Sequence, residues 1–275
     1  MDACALNDHW PSRRTFHRIG AAAMSQLSRR KLITGGLATA ASLTGIAAAA
    51  RLAQSHGLIP PDCGGIYGPG ETLTYAAQRL LVGNARVRTF PRSMISAKPF
   101  ANEVAPLGDE FHRMQAASFS DWKLSVDGLV AHPTVFSLSD LRSMPTQSQI
   151  TEVACEEGWS YIAEWIGTPL DGILSEVGTL PQARYVAYFS FQPEWWESID
   201  MPSALHPQTF LTLGMNNGEL PVGFGGPLRM RVPRQLGYKS VKYVTRITVT
   251  DSMKHFGKGL GSASPEAGYA WYGGI

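Results

Sequence analysis

Cysteine is scarce in this chain, with three among 275 residues. None has a second Cys or a His two to four positions on, and the Cys-x-x-Cys-His signature is absent, so a zinc-finger site and a covalently attached c-type haem are excluded. Charge is also thin: 17% of side chains are charged, the net charge is +2, and Lys and Arg are scattered without a basic stripe or interleaved aromatics. That distribution excludes a nucleic-acid-binding surface. No internal repeat is present, and the Gly-rich runs "GFGG" and "GKGLGS" lack the strand-loop-helix setting of a phosphate loop, so a Rossmann reading has no support.

What is there is a 44% hydrophobic composition, that of a globular protein with a sizeable core. A leader precedes it. "SRRKLITGGLATAASLTGIAAAA" joins the pair Arg29-Arg30 to a weakly apolar Ala/Gly/Thr/Leu stretch ending near Ala50, the pattern of a twin-arginine export signal to the periplasm. Residues 32–50 are about long enough to cross a bilayer, but Gly35, Gly36 and Gly45 make a weak span. Met24 stands directly before "SQLSRR" as the natural start, which makes residues 1–23 a non-native extension. Export of an already folded protein suits one that acquires a cofactor in the cytoplasm. The expected organisation is 1–50 extension plus signal, 51–104 an N-terminal arm, and 105–275 the catalytic domain.

The body is rich in strands. "WKLSVDGLV" alternates apolar and polar residues into an Asp-Gly turn and predicts a strand and hairpin. "SLSDLRSMP" and "TPLDGILSEVG" predict short helices, the first capped by Ser137 or Ser139, the second with Pro169 at its start and Gly178 past its end. "ARYVAYFSF", "TFLTLGMN", "LRMRVP" and "VKYVTRITVTD" predict strands, with a turn at Asn217-Gly218. Upstream, "ETLTYAAQRLLV" is a helical candidate inside a Pro/Gly-rich arm that is expected to wrap over the body.

Cys155, in "EVACEEGWSYIAEWIGTPL", has three fates open to it from the residues alone. It could be a buried thiol, half of a disulfide with Cys63, or a soft ligand to a metal whose other ligands come from an organic cofactor. Two exposed-looking tryptophans in "QPEWWESID" read either as a packing pair or as a wall for an apolar or thioether substrate.

The segments "WKLSVDGLV", "FSLSDLRSMP", "ACEEGWSYIAEWIGTPLDGIL", "SIDMPSALHPQTFLTLGMNNGELPV", "PLRMRVPRQLGYKSVKYVTRITVTD" and "GYAWYGGI" run in family order over about residues 105–275. They resemble the sulfite-oxidase-fold molybdenum enzymes, in particular the short bacterial periplasmic branch of the methionine sulfoxide reductase catalytic subunits. The resemblance implies a mixed, β-rich α+β sulfite-oxidase (oxidoreductase molybdopterin-binding) fold and a molybdenum-molybdopterin cofactor, one molybdenum-pyranopterin per chain. It implies Cys155 as the metal ligand, with three sulfurs leaving a position through which an oxygen atom and two electrons can pass. It also implies cofactor contacts from Phe111, His112 and Arg113 in "EFHRMQ", from Ser190, from Arg229, and from Ser240, Val241 and Lys242. Arginine and backbone N–H groups suit a buried phosphate.

Phe224 stands where sulfite oxidases carry a pterin-contacting His, and Met114-Gln115 replaces their Asn-His. Glu156 and Glu157 replace a basic run after the cysteine, which disfavours sulfite, a doubly charged anion, and points to a neutral or cationic substrate such as a small sulfoxide or related S- or N-oxide. Glu157 matches the glutamate of the reductase branch and is expected to be catalytic with Cys155. No immunoglobulin-like domain follows "GYAWYGGI", so the resemblance leads one to expect a monomer that exchanges electrons with a separate cytochrome or membrane haem protein. Exchanging Arg29-Arg30 for Lys-Lys should strand the protein in the cytoplasm; cell fractionation and immunoblotting read the outcome, and unimpaired export would refute the leader.

Overall fold

The computed structural model describes residues 48, 51–54, 57–64, 67–102, 106 and 108–275. Met24, Arg29-Arg30 and Cys4 lie outside the described residues, as does the apolar stretch 32–47. Among the described residues no helix is long and apolar enough to cross a membrane.

Two five-stranded sheets make the body. The first has the order β2 (Thr134–Ser137), β1 (Lys123–Gly128), β10 (Val244–Thr250), β5 (Tyr185–Ser190), β6 (Trp196–Asp200). The second runs β3 (Gln147–Ala154), β4 (Ser160–Pro169), β7 (Phe210–Met215), β8 (Gly218–Glu219), with β9 (Arg229–Arg231) paired to β7 off that path. Only β1 and β10 pair in parallel; the rest are antiparallel, joined by hairpins or short helices. The strands predicted at 183–191, 209–216, 228–233 and 241–251 are all present.

The predicted turns differ in detail. β1 and β2 are in register from Val126↔Thr134, so residues 127–133 form a longer connection than an Asp-Gly hairpin. Asp127 is held instead by Thr248 of β10, whose hydroxyl donates to its Oδ1 at 2.6 Å. The tight turn between β7 and β8 centres on Asn216-Asn217, both at positive φ, one residue before the predicted Asn-Gly pair. Asn tolerates that left-handed region better than most residues, and the twist of such a turn matches that of the strands it joins.

Short helices cap the strands as the sequence suggests. Helix α3 (Leu138–Ser143) begins with a capping box: Ser137 Oγ accepts from Asp140 N, and Asp140 accepts from Ser137 N. α4 (Leu170–Glu176) buries Leu170, Ile173 and Leu174 against the same core as β1, β5 and β10. That core also receives Leu211 and Leu213 of β7 and Met230 of β9. Phe210 and Met215, which point the other way, join Val153, Tyr161, Ala163 and Trp165 in a second cluster on the opposite face. Side chains alternate across a strand, so Arg229 and Arg231, flanking Met230, are turned toward this second cluster.

The arm wraps over the body, and its contacts are specific. Helix α1 (Gly68–Val82) buries Tyr75, whose hydroxyl donates to Asp200 Oδ2 at 2.7 Å, while Arg79 Nε lies 3.2 Å from the same carboxylate. Asp200 also caps α5 (Met201–Ala204) by accepting from Ser203 N at 3.0 Å. Farther along, Val87 exchanges hydrogen bonds with the Gln208 amide, and Phe90 N and Ser96 N donate to Ile150 O and Ile162 O. Asp200→Ala leaves the Arg79 charge in low dielectric and uncaps α5, so it should cost about 3–5 kcal/mol. Tyr75→Phe should cost about 1 kcal/mol. Urea unfolding reads both, and near-equal losses would deny the carboxylate its central place.

Candidate active site

Cys155 sits at the tip of the β3–β4 hairpin. Ala154 and Ser160 are the last paired residues, and Cys155 N donates to Trp159 O while Gly158 N donates to Cys155 O. Gly158, at φ +90°, takes a left-handed conformation that few side chains allow, and so closes this turn. The thiol is half-buried and free, as is the exposed Cys63, so the disulfide alternative is not formed. Its proton is donated to Glu156 Oε2 at 3.1 Å. Burial pushes the thiol up to about 12, and the Glu156 and Glu157 carboxylates add to the rise, against a lowering by the Glu157 N–H.

The sulfur faces a second segment. A Cβ placed on Gly237 would lie 3.4 Å from Cys155 Sγ and 3.4 Å from Ala154 O, so the two segments approach to within side-chain contact here. Gly237 opens a 3-10 turn, Gly237–Lys239, followed by Ser240. This loop is fixed from both sheets. On one side Lys239, fully buried, donates to Glu197 Oε2 at 2.7 Å, Ser198 O at 3.0 Å and Ser262 Oγ at 3.1 Å. On the other, Arg229 Nε donates to Ser240 O at 3.0 Å and Arg231 Nη1 to Ser240 Oγ at 3.0 Å.

The predicted residues therefore separate into groups. Cys155, Arg229 and Ser240 are joined through this loop, and Val241 O accepts from Met230 N. Lys242 Nζ donates to Gly223 O at 2.9 Å, beside the Phe224 whose carbonyl takes Arg229 Nη1 at 2.9 Å. Ser190 is buried in register with Val244, where β10 leaves the same loop. Phe111 is elsewhere in character: it is fully buried on α2 (Asp109–Ala116) among Phe119, Trp122, Phe191 and Tyr243, ring centroids 5.3–6.3 Å away. His112 and Arg113 are exposed on the same helix.

Glu157 lies at the exposed tip and accepts from Trp159 Nε1 at 2.6 Å. Trp159 continues an aromatic series from Phe100 (5.2 Å) to Tyr161 (5.8 Å, near-parallel), then Phe224 and Trp165. The Trp195-Trp196 wall is not formed as a pair. Trp196 packs on Phe189 and Phe256 inside the first sheet's outer cluster, while Trp195 is exposed. Strand alternation decides this, because β6 begins at Trp196 and turns its ring onto Phe189, the residue paired with it.

Three residues that sequence reasoning missed belong here: Gly237, Lys239 and Arg231. The signal for the last was available, since "RMR" in a strand places both guanidinium groups on one face. Arg229 and Arg231 are 4% and 1% exposed, stack over the Trp165 ring at 5.3 and 4.9 Å, and have no carboxylate partner among the described residues. A pair of buried cations and a glycine close to a thiol are the residue types that could hold an anionic group beside a soft metal.

Comparison with known proteins gives the family. The family model described as the oxidoreductase molybdopterin binding domain matches residues 112–256. A protein of Azospira oryzae named as a protein-methionine-sulfoxide reductase subunit, YedZ1, is 39% identical over 185 residues, 67% of this chain and 66% of that protein. The protein-methionine-sulfoxide reductase catalytic subunit MsrP of Ralstonia nicotianae is 34% identical over 145 residues, 47% of this chain and 44% of that one. The chain thus spans less than two thirds of either relative. Among solved structures, the sulfane dehydrogenase SoxCD of Paracoccus pantotrophus aligns over 48% of this chain and 39% of its own, at a TM-score of 0.47 and 24% identity.

The division between Phe111 and its neighbours is directly measurable. Phe111→Ala should cost about 3–5 kcal/mol in denaturant unfolding, and His112→Ala and Arg113→Ala less than about 0.5 kcal/mol each. A comparable loss at all three would place the whole stretch in one structural role.

Proposed function

We propose that this chain, which belongs to the oxidoreductase molybdopterin-binding family, is the catalytic unit of a periplasmic oxygen-atom-transfer enzyme with Cys155 as the protein ligand of its molybdenum. The observation that carries the reading is the meeting of Cys155 Sγ with Gly237 at one end of a loop whose other end, Ser240, is held by Arg229. When bound, the molybdenum pyranopterin supplies a two-electron couple and oxygen-atom transfer.

The protein's own residues supply the rest. The donor set fits the cofactor: a thiol for a soft metal, and buried guanidinium groups without counter-ions for a phosphate. Arg229, Ser240, Val241 and Lys242 hold the pterin side in this reading, with Ser190 where β5 meets β10; Phe111, His112 and Arg113 are the further candidates on α2. Glu157, held by Trp159, sets the charge at the mouth and is the candidate proton carrier.

The substrate class follows from that charge. Two carboxylates at the hairpin tip oppose an incoming dianion, so a small sulfoxide or related S- or N-oxide is favoured over sulfite. The names of the relatives, methionine-sulfoxide reductase subunits, support the same class. The word subunit in those names also supports a separate electron donor, in this reading a cytochrome or membrane haem protein.

The decisive measurement is molybdenum and pterin content on the purified protein, from a host that makes the cofactor, followed by turnover of dimethyl sulfoxide and of sulfite with a dye as electron carrier. We expect about one molybdenum and one pterin per chain and turnover of the sulfoxide. Cys155→Ser should abolish turnover even where pterin is retained. Full activity in that variant, or a wild type without either component, defeats the assignment.

A further inference from the structure

Among the described residues, Arg231 is a charge without a match. It is 1% exposed, and its guanidinium donates only to neutral oxygens: Ser240 Oγ at 3.0 Å, Thr151 Oγ1 at 3.1 Å and Glu152 O at 3.2 Å. Its Nε–H is buried without a partner. Arg229 is on the same face of β9, and both lean on the one aromatic ring of Trp165. Trp165 Nε1 and Thr212 Oγ1, on the same face, are likewise buried without partners. Burial and the neighbouring Arg229 pull Arg231 down to about 9, still charged at neutral pH.

The other buried cations are treated differently. Lys239 meets Glu197, and Arg79 meets Asp200. Arg234 donates to Val82 O and Gly83 O at the C-terminal end of α1, where the helix dipole favours a positive charge. A ring face offsets a desolvated guanidinium in part, but two like charges over one ring repel. A side chain that only clamped β3 to the loop would need hydrogen bonds there, not a permanent charge.

We propose that Arg231 is a second cation for the anionic tail of the cofactor, placed so that its charge destabilises the empty fold and is neutralised in the loaded one. The inference rests on the cofactor reading given under Proposed function. It makes Arg231 a retention device. Because it grips Ser240 and the backbone at Glu152, three residues before Cys155, neutralising it also ties the loop to the cysteine hairpin. Loading and rigidity of the site are then one event.

The test compares Arg231→Met and Arg231→Lys with wild type, each as full-length chain purified with cofactor and from a host unable to make pterin. Two quantities are read: the thermal midpoint in both forms, and the rate of pterin loss on dialysis. We expect Arg231→Met to raise the midpoint of the empty protein and to lose pterin about tenfold to a hundredfold faster, the effect of one charge-assisted contact. Arg231→Lys, which keeps the charge without the fork, should fall between the two. A Met variant that lowers the midpoint of the empty protein and holds pterin as tightly as wild type makes Arg231 a structural clamp and overturns the proposal. Should the Met variant not fold, Arg231→Gln, neutral but able to hydrogen-bond, carries the retention measurement, and wild-type retention there overturns it equally. A wild type with no pterin at all defeats the cofactor reading itself, which is a different failure from a loaded protein indifferent to Arg231.

Discussion

The pairing of β9 with β7 is the constraint on which the site depends. Three residues long, β9 is set by Phe210↔Arg231 and Thr212↔Arg229, and a one-residue slip would turn Met230 out of the main core and both guanidinium groups into it. The register is held because Met230, Leu211 and Leu213 share one hydrophobic face with strands of the other sheet. Apolar packing on one side of β9 thus forces cations into the other side, where Trp165 and the loop at Ser240 receive them. The hydrophobic effect, which has no direction of its own, is converted by strand alternation into the placement of charge.

From that placement the rest of the centre follows. The loop from Gly237 to Ser240 is held by Arg229 and Arg231 from the second sheet and through Lys239 by Glu197 of the first. Either attachment alone would leave a hinge; together they fix Gly237 against the cysteine hairpin. A buried pair such as Lys239–Glu197 adds little net stability, since desolvation offsets much of the attraction. What it adds is geometry: the lysine has one carboxylate it can reach, and so the loop has one place to be. Tyr188, donating to Lys239 O at 2.8 Å, fixes the backbone at the same point.

Much of this was legible in the residues. Period-two runs located β1, β5, β7, β9 and β10 but not β3 and β4, the two longest strands, and Ser137 was one of two caps offered for the helix before Pro145, because those signals are local. The fate of Cys155 came from resemblance, since a lone thiol in a loop is compatible with three chemistries until a second segment is brought to it. Trp195-Trp196 stayed open for the same reason: whether adjacent tryptophans line a mouth or a core depends on where the strand starts, and Trp196 is already paired with Phe189. Phe111 shows the converse, as a residue assigned by family position whose ring the fold uses to fill the aromatic cluster over Trp122. Arg231 was hidden because an Arg-x-Arg strand more often marks a solvated face, and only the partner strand reveals that this face is buried.

The charges of the site are layered, and under the proposed function that layering would discriminate between substrates. Cations lie deep, at Arg229 and Arg231, and carboxylates lie outermost, at Glu156 and Glu157 on the hairpin tip. An anionic cofactor tail would be held by the inner layer, at Arg229 and Arg231. A small anion arriving later would meet the outer layer first, where the half-buried Glu156 and the exposed Glu157 oppose it to an extent that solvent and salt reduce. A neutral sulfoxide feels neither penalty, and the Trp159–Tyr161 surface beside Glu157 offers its apolar substituents a face. In the function proposed above, one arrangement would serve both ends, since cations placed inside would hold the cofactor and carboxylates kept at the rim would favour sulfoxide over sulfite.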